Sequence, residues 1–131
     1  MPKVHTSSHL RSGLNVIRMC RPGHQYLWHR DSQPFTLLLY LAAVGTGGVL
    51  ELAAEASSGS GPGADAVAVT PRAGTVVLFD GLRCWHRVTP MAGVGLRLSV
   101  PMAYPTRAVV ERPSGRDDRL YGPEQRPAAE Q

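Results

Sequence analysis

Trp28-His29-Arg30-Asp31 and Trp85-His86-Arg87-Val88 carry residue types from which a metal centre can be built. On an extended chain, side chains at i and i+2 share a face, so His29 and Asp31 point one way and Arg30 the other. An imidazole beside a carboxylate is a two-ligand claw. The second imidazole, His86, completes two nitrogens and one oxygen, the facial set that grips ferrous iron on one side and leaves the other side open. A lone His-x-Asp is common in ordinary structural roles, so the claw gains weight only from agreeing context. Arg97-Leu98-Ser99 supplies some, because Arg97 and Ser99 share a strand face and can bring a guanidinium and a hydroxyl into the same cavity. By itself Arg97 reads as a solvated edge-strand cation, and Tyr40 as a core aromatic with its hydroxyl at the rim.

These residues must be held by strands. Leu14–Cys20 reads as a strand closed by Arg21-Pro22-Gly23-His24, since Pro and Gly make a turn that a strand interior does not tolerate. Gln25–Asp31 is extended. Thr36–Leu41 is a near-continuous apolar run, the pattern of a strand covered on both faces. After the Gly45–Gly48 turn, Val49–Leu52 pairs back, and Ala53–Ala66 is a small-residue, mobile surface loop. Val67–Thr70 and Thr75–Phe79 flank a Pro71–Gly74 turn, followed by Trp85–Thr89 and Leu96–Val100. About eight short strands without a long helix make an all-β sandwich or barrel. Trp28 and Trp85 alternate away from the proposed ligands and pack as core or rim, and His24 belongs to its turn. Cys84 lies two residues before His86, but a Cys/His zinc site lacks a second nearby cysteine.

Composition sets limits. With 43% hydrophobic and 18% charged residues the chain is globular, and its 14 Gly and 11 Pro favour turns over long helices. The net charge of +4 comes from scattered Lys and Arg rather than a basic run, so no nucleic-acid partner is expected. Cys20 and Cys84 form no CxxC pair or disulfide framework and read as thiols in a reducing cytoplasm. Met1–Gly13 lacks an apolar signal-peptide core, and no apolar run reaches about 18 residues, so no membrane association is expected and the protein is placed in the cytoplasm. Residues 1–13, with His5 and His9, form a flexible N-terminal segment, 14–104 the core, and 105–131 a polar, disordered tail.

In order, His29-Arg30-Asp31, Tyr40-Leu41, Gly47-Gly48-Val49-Leu50, Pro71 to Phe79, His86-Arg87-Val88 and Arg97-Leu98-Ser99 resemble the iron(II)/2-oxoglutarate-dependent dioxygenases, especially their prolyl 4-hydroxylase-like branch, over residues 14–104. The resemblance implies a double-stranded β-helix, a jelly-roll or cupin-like barrel, near-minimal here and with few helices. It implies iron(II) held by His29, Asp31 and His86, with 2-oxoglutarate as co-substrate and O2 as oxidant; ascorbate is an optional accessory. The distal carboxylate of 2-oxoglutarate would meet Arg97, whose guanidinium is always ionised and pairs bidentately, with hydroxyls from Ser99 and Tyr40 beside it. The implied reaction hydroxylates a C–H bond of an amino acid, prolyl or small-metabolite substrate and releases succinate and CO2. A carboxylate at Asp31, rather than a small residue that would free a site for halide, implies hydroxylation over halogenation.

The chain departs from the family pattern at Ala42, where an Asn is usual, and in the short stretch ahead of His29, where relatives carry more chain. The core is then close to a bare barrel: either a homodimer or partner subunit covers the exposed sheet, or the chain is a fragment-like version with an open or impaired site. Two other functions fit such a barrel, a cupin-type metal- or small-molecule-binding module and a catalytically silent homologue, because fold alone does not decide chemistry. Cupins typically supply His-x-His and a further carboxylate. Here Asp31 takes the second position, and Arg97 finds a use only with 2-oxoglutarate.

Overall fold

A computed structural model describes residues 16–104; the expectations for 1–13, for Leu14 and Asn15 and for 105–131 lie outside the described residues. Eight strands follow one another: β1 Ile17–Met19, β2 Tyr26–His29, β3 Phe35–Val44, β4 Leu50–Ala53, β5 Val67–Val69, β6 Val76–Asp80, β7 Trp85–Val88 and β8 Leu96–Tyr104. No helix among the described residues is long and apolar enough to cross a membrane. The strands form two four-stranded sheets, ordered β1-β8-β3-β6 and β2-β7-β4-β5.

The antiparallel pairs are nested. β4 pairs with β5, β3 with β6, β2 with β7 and β1 with β8, so the chain is one long hairpin whose successive pairs fall in opposite sheets. Pairing of β3 with β8 and β4 with β7 joins the coils into a double-stranded β-helix. The punctuation follows residue type: Gly23 at φ 80° makes the β1–β2 turn, and Gly74 at φ 82° the β5–β6 turn, a backbone region open to glycine at no steric cost.

Two expectations change. Thr36–Leu41 is not covered on both faces: in β3 Thr36, Leu38 and Tyr40 are buried, whereas Leu41 joins Val76 and Leu78 of β6 among the exposed apolar side chains. A period of two separates the faces even where nearly every residue is apolar. The 53–66 stretch begins inside β4 and is not featureless. Its remainder folds back on itself through a Glu55–Pro62 bridge and the Ala56 N–Gly61 O and Gly63 N–Ala54 O hydrogen bonds. β3 and β8 also run longer than their apolar patterns, because each continues as the other's partner from Phe35–Tyr104 to Val44–Leu96.

A β-bulge between Tyr40 and Ala42 shifts that ladder. It sets Tyr40 opposite Ser99 and Ala43 opposite Arg97, so side chains three apart on β3 meet side chains two apart on β8. Beyond them Met19, Leu38, Leu50, Val88 and Met91 close the barrel with an apolar cluster.

Candidate metal centre and its buried arginine

β2 and β7 are neighbours, and His29 pairs directly with His86 across them, which places the ring centroids 4.1 Å apart. Asp31 lies just past the end of β2 rather than within it. Its backbone N–H donates to the Gly81 carbonyl at 2.8 Å, and the Gly81 N–H donates to Pro34 O at 3.0 Å, so the β6–β7 turn holds the β2–β3 loop. The ligand atoms of His29, Asp31 and His86 lie within 4.8 Å of one another, the one such group among the described residues. Asp31 Oδ1 is 4.0 Å from His29 Nε2 and 3.6 Å from His86 Nε2.

Each imidazole is oriented in the same way. His29 Nδ1 is 2.7 Å from Leu27 O and His86 Nδ1 is 3.1 Å from Cys84 O. A carbonyl oxygen only accepts, so Nδ1–H donates in both rings and Nε2 is left facing Asp31, the nitrogen through which a divalent cation would be held. Phe79 packs against His86 edge-on at 4.8 Å. Burial would raise the Asp31 pKa, but the hydrogen bond and charge of His86, the Thr36 hydroxyl and the charge of His29 outweigh it and hold the carboxyl below its ordinary range.

Arg97 is 2% exposed, and Tyr40 and Ser99 are fully buried beside it. Its Nη1 donates to Ser99 Oγ at 3.0 Å and to Met19 Sδ at 3.6 Å, and Nη2 donates to Tyr40 Oη at 3.2 Å. Among the described residues its Nε has no hydrogen-bond partner and no carboxylate pairs with it. Gly48 at φ 64° makes this burial feasible, because a Cβ there would stand 2.9 Å from Arg97 Cδ and 2.8 Å from Met91 Sδ.

The structure thus gathers His29, Asp31 and His86 at one pole and Arg97, Ser99 and Tyr40 at the other. The remaining candidates go elsewhere. Arg30 lies over the Trp85 ring and pairs with Glu55, while Arg87 lies over Trp28 and pairs with Glu51, so both tryptophans pack as cation-bearing surfaces away from the centre. His24 Nδ1 accepts from Cys20 N and closes its turn. Cys84 is a free thiol, its pKa raised by burial, and is no part of the ligand group. Thr36, Gly81 and Phe79 escaped the sequence reading, although Thr36 is the one polar residue in the Thr36–Leu41 run and shares parity with Tyr40.

The profile of the 2OG-Fe(II) oxygenase superfamily matches residues 14–104. The chain belongs to that superfamily. Membership implies iron(II) and 2-oxoglutarate chemistry, and a His-Asp-His group of the type that holds such an ion is present. Among solved structures, a prolyl-4-hydroxylase from Pseudomonas putida is 25% identical with a TM-score of 0.55, covering 72% of this superfamily member and 51% of the other chain. The superfamily member therefore spans about half the length of that hydroxylase. A cupin domain from Bordetella pertussis is 18% identical with a TM-score of 0.43, over 79% of this chain and 91% of that one. No curated protein sequence matches.

Proposed function

We infer that this chain is an iron(II)- and 2-oxoglutarate-dependent hydroxylase. The observation that carries the reading is Arg97: a guanidinium buried to 2% exposure that, among the described residues, lacks a carboxylate partner and keeps its Nε–H unused is suited to an anionic ligand. Thr36, which touches Asp31, and Tyr40, which touches Arg97, are four residues apart on the inner face of β3, a rise of ~13 Å that a short dicarboxylate could bridge with an ion reaching in at one end and the guanidinium at the other.

In this reading His29, Asp31 and His86 hold iron(II) through Nε2, one carboxylate oxygen and Nε2. Arg97, with the hydroxyls of Ser99 and Tyr40, orients the distal carboxylate of 2-oxoglutarate. The ion supplies oxygen activation when bound. The balance is one 2-oxoglutarate, one O2 and one C–H bond giving succinate, CO2 and one C–OH. The resemblance to a prolyl-4-hydroxylase favours a peptidyl proline, with free amino acids and small metabolites as the other substrates to screen. The unbridged thiols of Cys20 and Cys84 fit a cytoplasmic setting.

Anaerobic titration with iron(II) and then 2-oxoglutarate is the test. A weak visible charge-transfer band that grows with 2-oxoglutarate supports chelation, and succinate release with gain of one oxygen by a substrate supports hydroxylation. Metal binding without any response to 2-oxoglutarate would instead make the chain a cupin-type binding module. The band without turnover across the substrate screen would make it a silent homologue.

A further inference from the structure

Asp31 has two oxygens, and they face different surroundings. Oδ1 looks toward both imidazoles, 4.0 Å from His29 Nε2 and 3.6 Å from His86 Nε2, while Oδ2 accepts a 2.5 Å hydrogen bond from Thr36 Oγ1. A carboxylate has no proton of its own to offer here, so the threonine hydroxyl must be the donor. Thr36 is 4% exposed and reaches Asp31 from the opposite sheet, on the inner face of β3, where it pairs with Phe79 of β6, the residue packed against His86. The β1-β8-β3-β6 sheet thus braces one member of the ligand group with a hydroxyl and another with a ring.

The contact needs room, and Gly81 leaves it. A Cβ at this position would stand 2.6 Å from Thr36 Oγ1, 2.8 Å from Asp31 Cβ and 2.8 Å from Gln33 O, two of these against the short polar segments that form the contact. The same glycine anchors the loop through its backbone, accepting from Asp31 N and donating to Pro34 O. Any side chain at position 81 must displace the carboxylate, the hydroxyl or the loop.

We propose that Thr36 is a positioning residue that keeps Asp31 a one-oxygen ligand, with Gly81 providing the space for its hydrogen bond. Resting on the iron-dependent reading above, the clamp commits Oδ2 to the protein and leaves Oδ1 for the ion, so the carboxylate does not rotate to chelate with both oxygens. A carboxylate binding through both would occupy a position that the co-substrate or oxygen needs.

The test uses cobalt(II) as a spectroscopic probe of the purified chain, with circular dichroism to check folding. Thr36→Val removes the hydroxyl at nearly constant volume. It should lower cobalt affinity about 10- to 100-fold, the usual cost of losing a partner behind a ligand, and shift the ligand-field bands. Thr36→Ser keeps the donor and should restore both. Gly81→Ala leaves Thr36 in place and should reproduce the spectral change, which keeps the test decisive should Thr36→Val fold poorly. Wild-type affinity and bands in Thr36→Val, or in Gly81→Ala where the valine variant does not fold, would overturn the clamp while leaving the iron reading intact. Failure of the wild-type chain to bind cobalt or iron would overturn both.

Discussion

The two poles of the candidate site are built on opposite principles. At the first, Asp31 sits between two imidazoles, and its His29 neighbour keeps 34% of its side chain exposed, so charge is locally compensated and water has access. At the second, Arg97 is buried with two hydroxyls, a thioether and an aromatic face but, among the described residues, no carboxylate. Desolvating a cation without an anion is costly, so a protein that keeps such an arrangement gains from a ligand that completes it. In the proposed reading the first pole is a place for an ion, and the second is one half of an ion pair.

Substitutions can separate the two. Asp31→Ala should abolish succinate formation, since it removes the only carboxylate of the ligand group; a fully active variant would remove Asp31 from the centre. Arg97→Ala should leave metal binding nearly intact and raise the 2-oxoglutarate requirement roughly 30-fold or more, from the few kcal/mol at stake in a buried charge pair. Equal co-substrate affinity in wild type and variant would dissolve the second pole. Next in size is a thermal shift. With Mn(II) present, 2-oxoglutarate at a hundredfold excess over its Kd should add about 2.7 kcal/mol of stability to the wild-type chain and much less to Arg97→Ala, measured by calorimetry.

Acid should act on the first pole. The Asp31 pKa is held below its ordinary value of 3.8, so the unfolded chain binds this proton more readily than the folded one. Its stabilisation is complete above that value and is lost as pH falls through the lower, folded-state pKa. Metal-free Asp31→Asn should therefore lose less stability than wild type on acidification below about pH 4, read from denaturant midpoints. An identical acid limb in both would contradict that pairing. The smallest effect belongs outside the barrel: Leu78, 64% exposed on β6, should tolerate Ser within about 0.5 kcal/mol.

Much of the fold was legible because its signals are local. Gly and Pro punctuate the chain, and apolar parity marks the strands, so eight short strands follow from reading along it. The i, i+2 spacing of His29 and Asp31, and of Arg97 and Ser99, likewise needs only extended backbone. The outer exposure of Leu41 and Leu78 was not legible, since a run of leucines does not say which of its faces has a layer above it. Thr36 looked like the start of an apolar strand, because its partner Asp31 lies across a loop whose path depends on Gly81.

The sequence by itself singled out which side chains are candidates to ligate, and it determined the superfamily to which the chain belongs. Only the tertiary structure decided that Tyr40 stands opposite Ser99, that His29 faces His86, and that Thr36 rather than solvent meets the second oxygen of Asp31. Those relations depend on register, on one bulge and on the distance between two sheets. Such quantities are set by contacts between segments far apart in the chain, which no local spacing encodes.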